Sequence, residues 1–213
     1  GNYYRNRVYG NVAHIDMENR IAQRAWLAVL LAMRLQSPGK AIAVSEWPRK
    51  LDSLLVMTYR AQEPSGRWCY RCVPPVDSVK VVFPYMDALL LDAAQKYARW
   101  YPQGPQVPRL ATLRRTTADF LLDSALRADS SFKYNVVTSK VGSPSASPDL
   151  NGFHPAHLFS LWLETGNPRY RDAAAAVFDK GVRAGYYAGT KQFNQAYYAS
   201  YRYVALRLAA TVT

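Results

Sequence analysis

The chain has 213 residues, of which 49% are hydrophobic and 20% charged, a composition that excludes an intrinsically disordered protein. The net charge of +12 would attract polyanions, but the basic residues are scattered rather than clustered, so nucleic acid is not an expected partner. No apolar run reaches the length of a membrane-spanning helix, and no membrane span is predicted.

The spacing of apolar residues predicts a helical chain. Residues 1–13 show no clear period and are predicted to form an irregular segment. Helices are then predicted, in chain order, over His14–Leu35, Pro48–Arg60, Pro84–Tyr101, Pro108–Arg127, Pro155–Glu164, Tyr170–Tyr187 and Asn194–Ala210. Long loops rich in Pro, Gly and small residues are predicted near 62–80 and 128–151, and the second is expected to be solvated.

These helices repeat a simple unit, in which an apolar helix is followed by a Pro/Gly break and a more amphipathic helix. Three such hairpins and one closing helix are predicted to form a single all-α domain over 1–213, built of stacked antiparallel helical hairpins. One hairpin cannot bury its apolar helix alone, so neighbouring hairpins must stack. The apolar helices are expected to form an inner layer: Ala25–Leu35, Ala88–Trp100, Leu158–Leu163 and Ala199–Ala210.

Two stretches resemble a known enzyme architecture. The break LETGNPRYRDAAAAVFD resembles the linkers of α/α-toroid carbohydrate-active enzymes, which include glycoside hydrolases and polysaccharide lyases. The stretch RVYGNVAHIDMENRIAQRAWLAVLLAMRL is similar to the way such repeats enter an inner helix. Closed toroids of this kind have roughly twice as many hairpins. The resemblance therefore implies a partial or open toroid, completed by another subunit or by the rest of a longer chain.

The resemblance also implies where a substrate would bind, because these toroids hold it at one rim, between inner-helix ends and adjoining loops. The expected rim residues at the helix entrances are His14, Asp16, Glu18, Tyr85, Asp87, Asn151, His154, His157, Asn194, Gln195 and Tyr197. The loop residues Arg67, Trp68 and Tyr70 are expected on the same rim, with Trp68 as a platform for sugar stacking.

Two reactions are open at such a rim. Hydrolysis needs two carboxylates, for which Asp16, Glu18 and Asp87 are the residues to consider, with Asp16 and Asp87 as the catalytic candidates. The helix dipole alone also favours acids in a first turn. Elimination from a uronate polymer needs a carboxylate neutraliser and an acid/base pair, which Asn151, His154 and Tyr197 could supply. The alternative for His154 is a capping or buried structural histidine.

No metal or other cofactor is predicted. His154 and His157 could share a helix face with Asp149 nearby, but the sequence HPAH matches no strong metal signature. Cys69 and Cys72 form a single C-x-x-C without a second ligand pair, so a local disulfide and two inert thiols both stay open.

The predicted function is binding and cleavage of a carbohydrate polymer or oligosaccharide, and the positive charge would suit an acidic one. The alternative is a non-catalytic helical-repeat scaffold that binds a protein partner through its concave face. Neither of these two functions determines the cellular compartment; a periplasmic or extracellular location is favoured.

Overall fold

The computed structural model describes Leu27, Leu55, 62–68, 81–137, 145–185 and 190–211. This part of the chain is mostly helical, which confirms the all-α class. Its five α-helices are α1 (Pro84–Trp100), α2 (Val107–Phe120), α3 (Pro155–Thr165), α4 (Pro168–Ala184) and α5 (Thr190–Thr211). None of the helices described is long and apolar enough to cross a membrane.

Shorter elements connect these helices. A π-helical turn, Leu121–Ala125, continues α2, and a 3-10 turn, Pro148–Phe153, precedes α3. The strands β1 (Val81–Val82) and β2 (Val136–Val137) form one antiparallel pair, in which Val81 lies opposite Val137.

The break between α3 and α4 shows why the predicted helix ends are accurate there. Gly166 takes a left-handed conformation with φ of 70°, and its N–H donates to the Trp162 carbonyl at 2.7 Å, which closes α3. The Asn167 side chain then accepts a hydrogen bond from the Arg169 N–H at 3.1 Å, and Pro168 occupies the first turn of α4.

Five of the seven predicted helices fall within the described residues and are confirmed, with ends that shift by a few residues. The helix predicted to reach Arg127 changes to π-helical geometry after Phe120. Leu27 and Leu55 are helical, as expected, and Leu55 is fully buried. The rest of those two predicted helices, and the segment 1–13, lie outside the described residues.

The helix α3 lies at the centre of the packing. It packs against α4 in one hairpin, against α5, and against α1, while α1 and α2 form another hairpin. Every residue from Pro155 to Leu161 is buried. A single core cluster joins these helices, and Leu91, Leu110 and Tyr203 are among its fully buried members.

The expectation that Trp68 offers a stacking platform on the rim is corrected by the fold of 62–68. This segment folds into a tight turn whose ends, Gln62 and Trp68, pair in an antiparallel bridge. The Trp68 indole is buried in the core, and its N–H donates to the Thr117 hydroxyl at 2.8 Å. It therefore presents no face to a sugar. The sequence PSG marks the turn but does not show that the aromatic residue after it turns inward.

The second long loop is also more ordered than expected where it is described. Isolated bridges pair Leu126 with Phe132 and Lys133 with Ala146, and the Phe132 ring is buried. The described parts, 128–137 and 145–151, thus lie against the helices instead of forming a solvated excursion.

Candidate functional site

The most unusual feature of the core is a line of polar side chains along α3. His154, His157 and Ser160 follow each other at intervals of three residues and are all buried, in a helix that is otherwise apolar on its buried side. Buried polar groups that lack partners are rare and costly, and they concentrate at functional sites. Each of these side chains therefore needs its own explanation.

His154 packs as a core aromatic residue. Its ring stacks on Phe132 with a centroid separation of 3.8 Å, and neither ring nitrogen has a hydrogen-bond partner. Burial lowers its pKa to about 3, so the imidazole is neutral at neutral pH. Because the ring is 1% exposed, a bound polymer could not reach it. The burial and stacking of the ring fit the alternative of a buried structural histidine.

His157 has a different environment. Its ring also has a pKa well below the usual value, because burial, the neighbouring His154 and the cations Arg114 and Arg202 all disfavour a further positive charge. One ring nitrogen bonds the Phe153 backbone, and Nε2 has no hydrogen-bond partner. His157 is one of the residues that line a cavity, although its Nε2 atom is itself buried.

This cavity, which we call the α1/α3/α5 cavity, lies where those three helices meet. Its polar lining comes from Asp92, His157, Tyr198 and Arg202, and the rest from small and apolar side chains. It has room for about 30 Å³, which is enough for about two water molecules but not for a sugar ring. Tyr198, which is 63% exposed, stands at its mouth.

A charged cluster surrounds the cavity. The Asp92 carboxylate pairs with Arg202 and, at 2.9 Å, with Lys96. The Lys96 ammonium also donates to the Tyr198 hydroxyl at 2.6 Å. Burial lowers the pKa of Lys96, but Asp92 and Tyr198 outweigh this effect and raise it above its usual value. Two cations share one carboxylate, so the cluster carries one excess positive charge.

A second polar network continues along the same side of α3, beginning at Ser160. The buried Arg114 guanidinium pairs with Glu164 at 2.9 Å and contacts Ser160, which also accepts a hydrogen bond from Gln95. Burial lowers the pKa of Arg114 even though Glu164 acts in the opposite sense. This network ties α1, α2 and α3 together and explains Ser160 as a structural residue.

Asn151 is fully engaged by the backbone. Its side-chain oxygen accepts from the Phe132 N–H at 3.0 Å, and its amide donates to the carbonyls of Ser130 and Val177 at 2.9 and 3.1 Å. All three contacts are to the main chain and the residue is buried, so the Asn151 side chain links three segments of the backbone.

The remaining predicted rim residues do not meet at one place. Asp87 is almost fully buried, and Tyr85 stacks on Tyr134 with 5.7 Å between ring centroids. Arg67 pairs with Glu63 in the turn before Trp68. Tyr197 is 64% exposed on the outer side of α5, away from His154.

Several predicted site residues, or their side chains, lie outside the described part of the chain. His14, Asp16, Glu18 and Tyr70 lie outside the described residues, as do Cys69 and Cys72. Asn194 and Gln195 belong to α5, but only their backbone is described. Among the described residues, no group of three or more potential ligands is arranged to hold a metal ion.

Sequence reasoning missed Asp92, Lys96, Tyr198 and Arg202. Each helix carries a visible signal, because Asp92–Lys96 and Tyr198–Arg202 are both spaced at four residues and so share a helix face. The sequence does not show that α1 and α5 are neighbours, and only that contact brings the two pairs together.

Comparison with known proteins does not identify a family or a function for this site. No protein-family model matches the chain, and no curated protein was found to be similar to it. The likeness to α/α-toroid enzymes therefore stays an interpretation of the sequence, and the geometry of the described residues alone carries the functional proposal.

Proposed function

We propose that the protein binds an acidic carbohydrate polymer across the mouth of the α1/α3/α5 cavity. The observation that carries this proposal is the charged cluster of Lys96, Arg202 and Asp92, which has an excess positive charge beside an exposed tyrosine. A carboxylate or sulfate group on the polymer would supply the missing negative charge.

The partial burial of the cluster strengthens this electrostatic argument. The side chains of Lys96, Asp92 and Arg202 are 15%, 19% and 22% exposed. Charges in such an environment are screened less by salt than charges on an open surface. The net charge of +12 would add a long-range attraction for a polyanion.

The exposed Tyr198 adds a surface that suits a sugar. An aromatic ring offers a flat apolar face, and its hydroxyl is held by Lys96, which limits the orientations of the ring. The cavity itself is too small for a sugar ring, so the polymer would lie across its mouth.

Cleavage by elimination would need a base that reaches the uronate and a group that protonates the leaving oxygen, with Arg202 or Lys96 neutralising the carboxylate. His157 is the histidine of the cavity lining, but its ring is only 2% exposed. A general base also works best with a pKa near the working pH. The pKa of His157 lies well below its usual value, so the geometry supports binding more strongly than cleavage. The hydrolytic alternative has less support, because Asp87 is buried.

Binding can be tested with matched polymers. We expect polyuronates to bind in affinity electrophoresis or calorimetry, and neutral glucans of similar length not to bind. Arg202→Ala and Lys96→Ala should each weaken binding by about tenfold, because each removes a charged contact. Arg183→Ala is the matched control, since it removes one exposed cation from α4 and leaves the cluster intact.

Equal binding to neutral and acidic polymers, or an equal loss in the Arg183 control and the cluster variants, would contradict the proposal. Incubation of the same polyuronates with the protein, followed by ultraviolet absorbance of unsaturated products and a reducing-end assay, separates elimination from hydrolysis. If neither signal appears while binding persists, the protein binds the polymer without cleaving it.

A further inference from the structure

The helix α5 carries apolar side chains on a buried side and on an exposed side. On its inner side, Tyr203 is fully buried and packs against Phe159 and Phe178. On its outer side, Tyr201 and Leu208 are 68% and 63% exposed. A helix at the edge of a soluble domain normally has only one apolar side, and the other is polar. The exposed apolar side of α5 is therefore a surface that a partner could cover.

The exposed residues form a narrow stripe. Tyr201, Val204 and Leu208 are spaced by three and four residues, which at about 100° per residue places them within an arc of about 60°. The three residues lie about 100° to 160° around the helix axis from Tyr203. The same spacing forms the seam between paired helices, where side chains of one helix fit between those of the other. We call these three residues the outer stripe.

The charge of α5 restricts what could pair with it. Its sequence, TKQFNQAYYASYRYVALRLAAT, contains three basic residues and no Asp or Glu. Arg207 is exposed and lies beside the outer stripe. A second copy of the chain would bring another basic helix and another net charge of +12, so self-pairing would be opposed by repulsion. A helix with acidic residues beside its apolar seam would be attracted.

We propose that the outer stripe of α5 docks an amphipathic helix of a partner protein whose apolar seam is flanked by Asp or Glu. Exposed apolar patches on soluble proteins commonly mark such interfaces. Ala205 and Ala209, both exposed on one side of the stripe, would allow the partner helix to approach closely. The outer stripe shares no residue with the charged cluster, although Tyr198 lies beside Tyr201 on the surface of α5.

The test uses two synthetic helical peptides of about 21 residues, which is three heptads. Both have the same Leu seam, and the flanking positions are Glu in one and Lys in the other. Titration of the full chain into labelled peptide, followed by fluorescence anisotropy, should show at least about tenfold tighter binding of the Glu peptide at low salt. The difference should shrink as salt is added.

Variants locate the contact on the protein. Leu208→Ser and Tyr201→Ser should each weaken binding of the Glu peptide by about tenfold or more, because each removes an anchoring apolar side chain. Val182→Ser on α4 is the matched control, since Val182 is 56% exposed but lies outside the outer stripe. It should leave the affinity unchanged.

Several results would overturn the proposal. These are equal binding of both peptides, no binding of the Glu peptide, or an equal loss in the Val182 control. A dimer in sedimentation experiments that Leu208→Ser dissociates would assign the stripe to a second copy. Binding to anionic phospholipid vesicles that Leu208→Ser abolishes would assign it to a membrane surface. A large loss of stability in Leu208→Ser without peptide would assign it to another segment of this chain.

Discussion

The buried His154 ring makes the folded protein sensitive to mild acid. Its pKa is about 3 in the folded state, against an ordinary value of 6.5. Between these values the unfolded chain binds a proton that the folded protein does not. The free energy of unfolding therefore falls as the pH drops, and the contribution is fully present only above the unfolded pKa.

The size of the effect follows from this difference. Each pH unit below 6.5 lowers the free energy of unfolding by about 1.4 kcal/mol for one such group. Lowering the pH from about 7 to about 5 should therefore destabilise the protein by about 2 kcal/mol through His154 alone. The lowered pKa of His157 acts in the same direction. Carboxylates contribute little in this range, because their ordinary pKa values lie lower.

The assay is urea unfolding followed by tryptophan fluorescence, at about pH 7 and about pH 5. His154→Leu removes the titrating ring and keeps an apolar side chain of similar size. This variant should lose about 2 kcal/mol less than the wild type over the same pH interval. At neutral pH it should be about as stable as the wild type, because the substitution also removes two buried nitrogens without partners.

Phe132→Leu serves as the control, since it disturbs the packing around His154 and leaves the titrating group in place. It should lower stability at both pH values and retain the dependence on pH. The reasoning is refuted if the wild type is equally stable at both values, or if His154→Leu shows the same loss as the wild type.

Two further substitutions test the fold around the site. Asn151→Ala should cost about 3 kcal/mol in urea unfolding, because it leaves the Phe132 N–H and two carbonyls unpaired in the interior; a loss well under 1 kcal/mol would contradict this role. Gly66→Ala should destabilise far more than Gly166→Ala. Both glycines have positive φ, but a Cβ at Gly66 would lie 2.1 Å from the Thr116 carbonyl oxygen, whereas one at Gly166 meets nothing within 4 Å. The Gly166 variant should lose only about 1–2 kcal/mol, and equal losses in thermal unfolding would count against the clash.

Much of the helical framework can be read from the sequence because its signals are local. Proline in the first turn, apolar spacing and the break at Gly166 and Asn167 each depend on a few neighbouring residues. The π-helical turn after Phe120 carries no comparable signal, and the predicted helix therefore continued past it.

The candidate site was predictable only in part, because burial depends on distant parts of the chain. His154 and Asn151 look like rim residues in the sequence. In the structure the Phe132 ring, about twenty positions earlier in the chain, stacks on His154, and the Phe132 N–H donates to Asn151. His157, three positions after His154, does line the cavity. Which of two neighbouring histidines faces a cavity is decided by the tertiary packing and not by their spacing.

The two proposed surfaces are neighbours on α5. Tyr198 and Arg202 line the cavity, and Tyr198 lies three residues before Tyr201, which is about 60° around the helix axis. Side chains three residues apart are neighbours on a helix surface, so a helix docked on the outer stripe would lie close to the mouth of the cavity. Any coupling between partner docking and polymer binding would therefore pass through Tyr198.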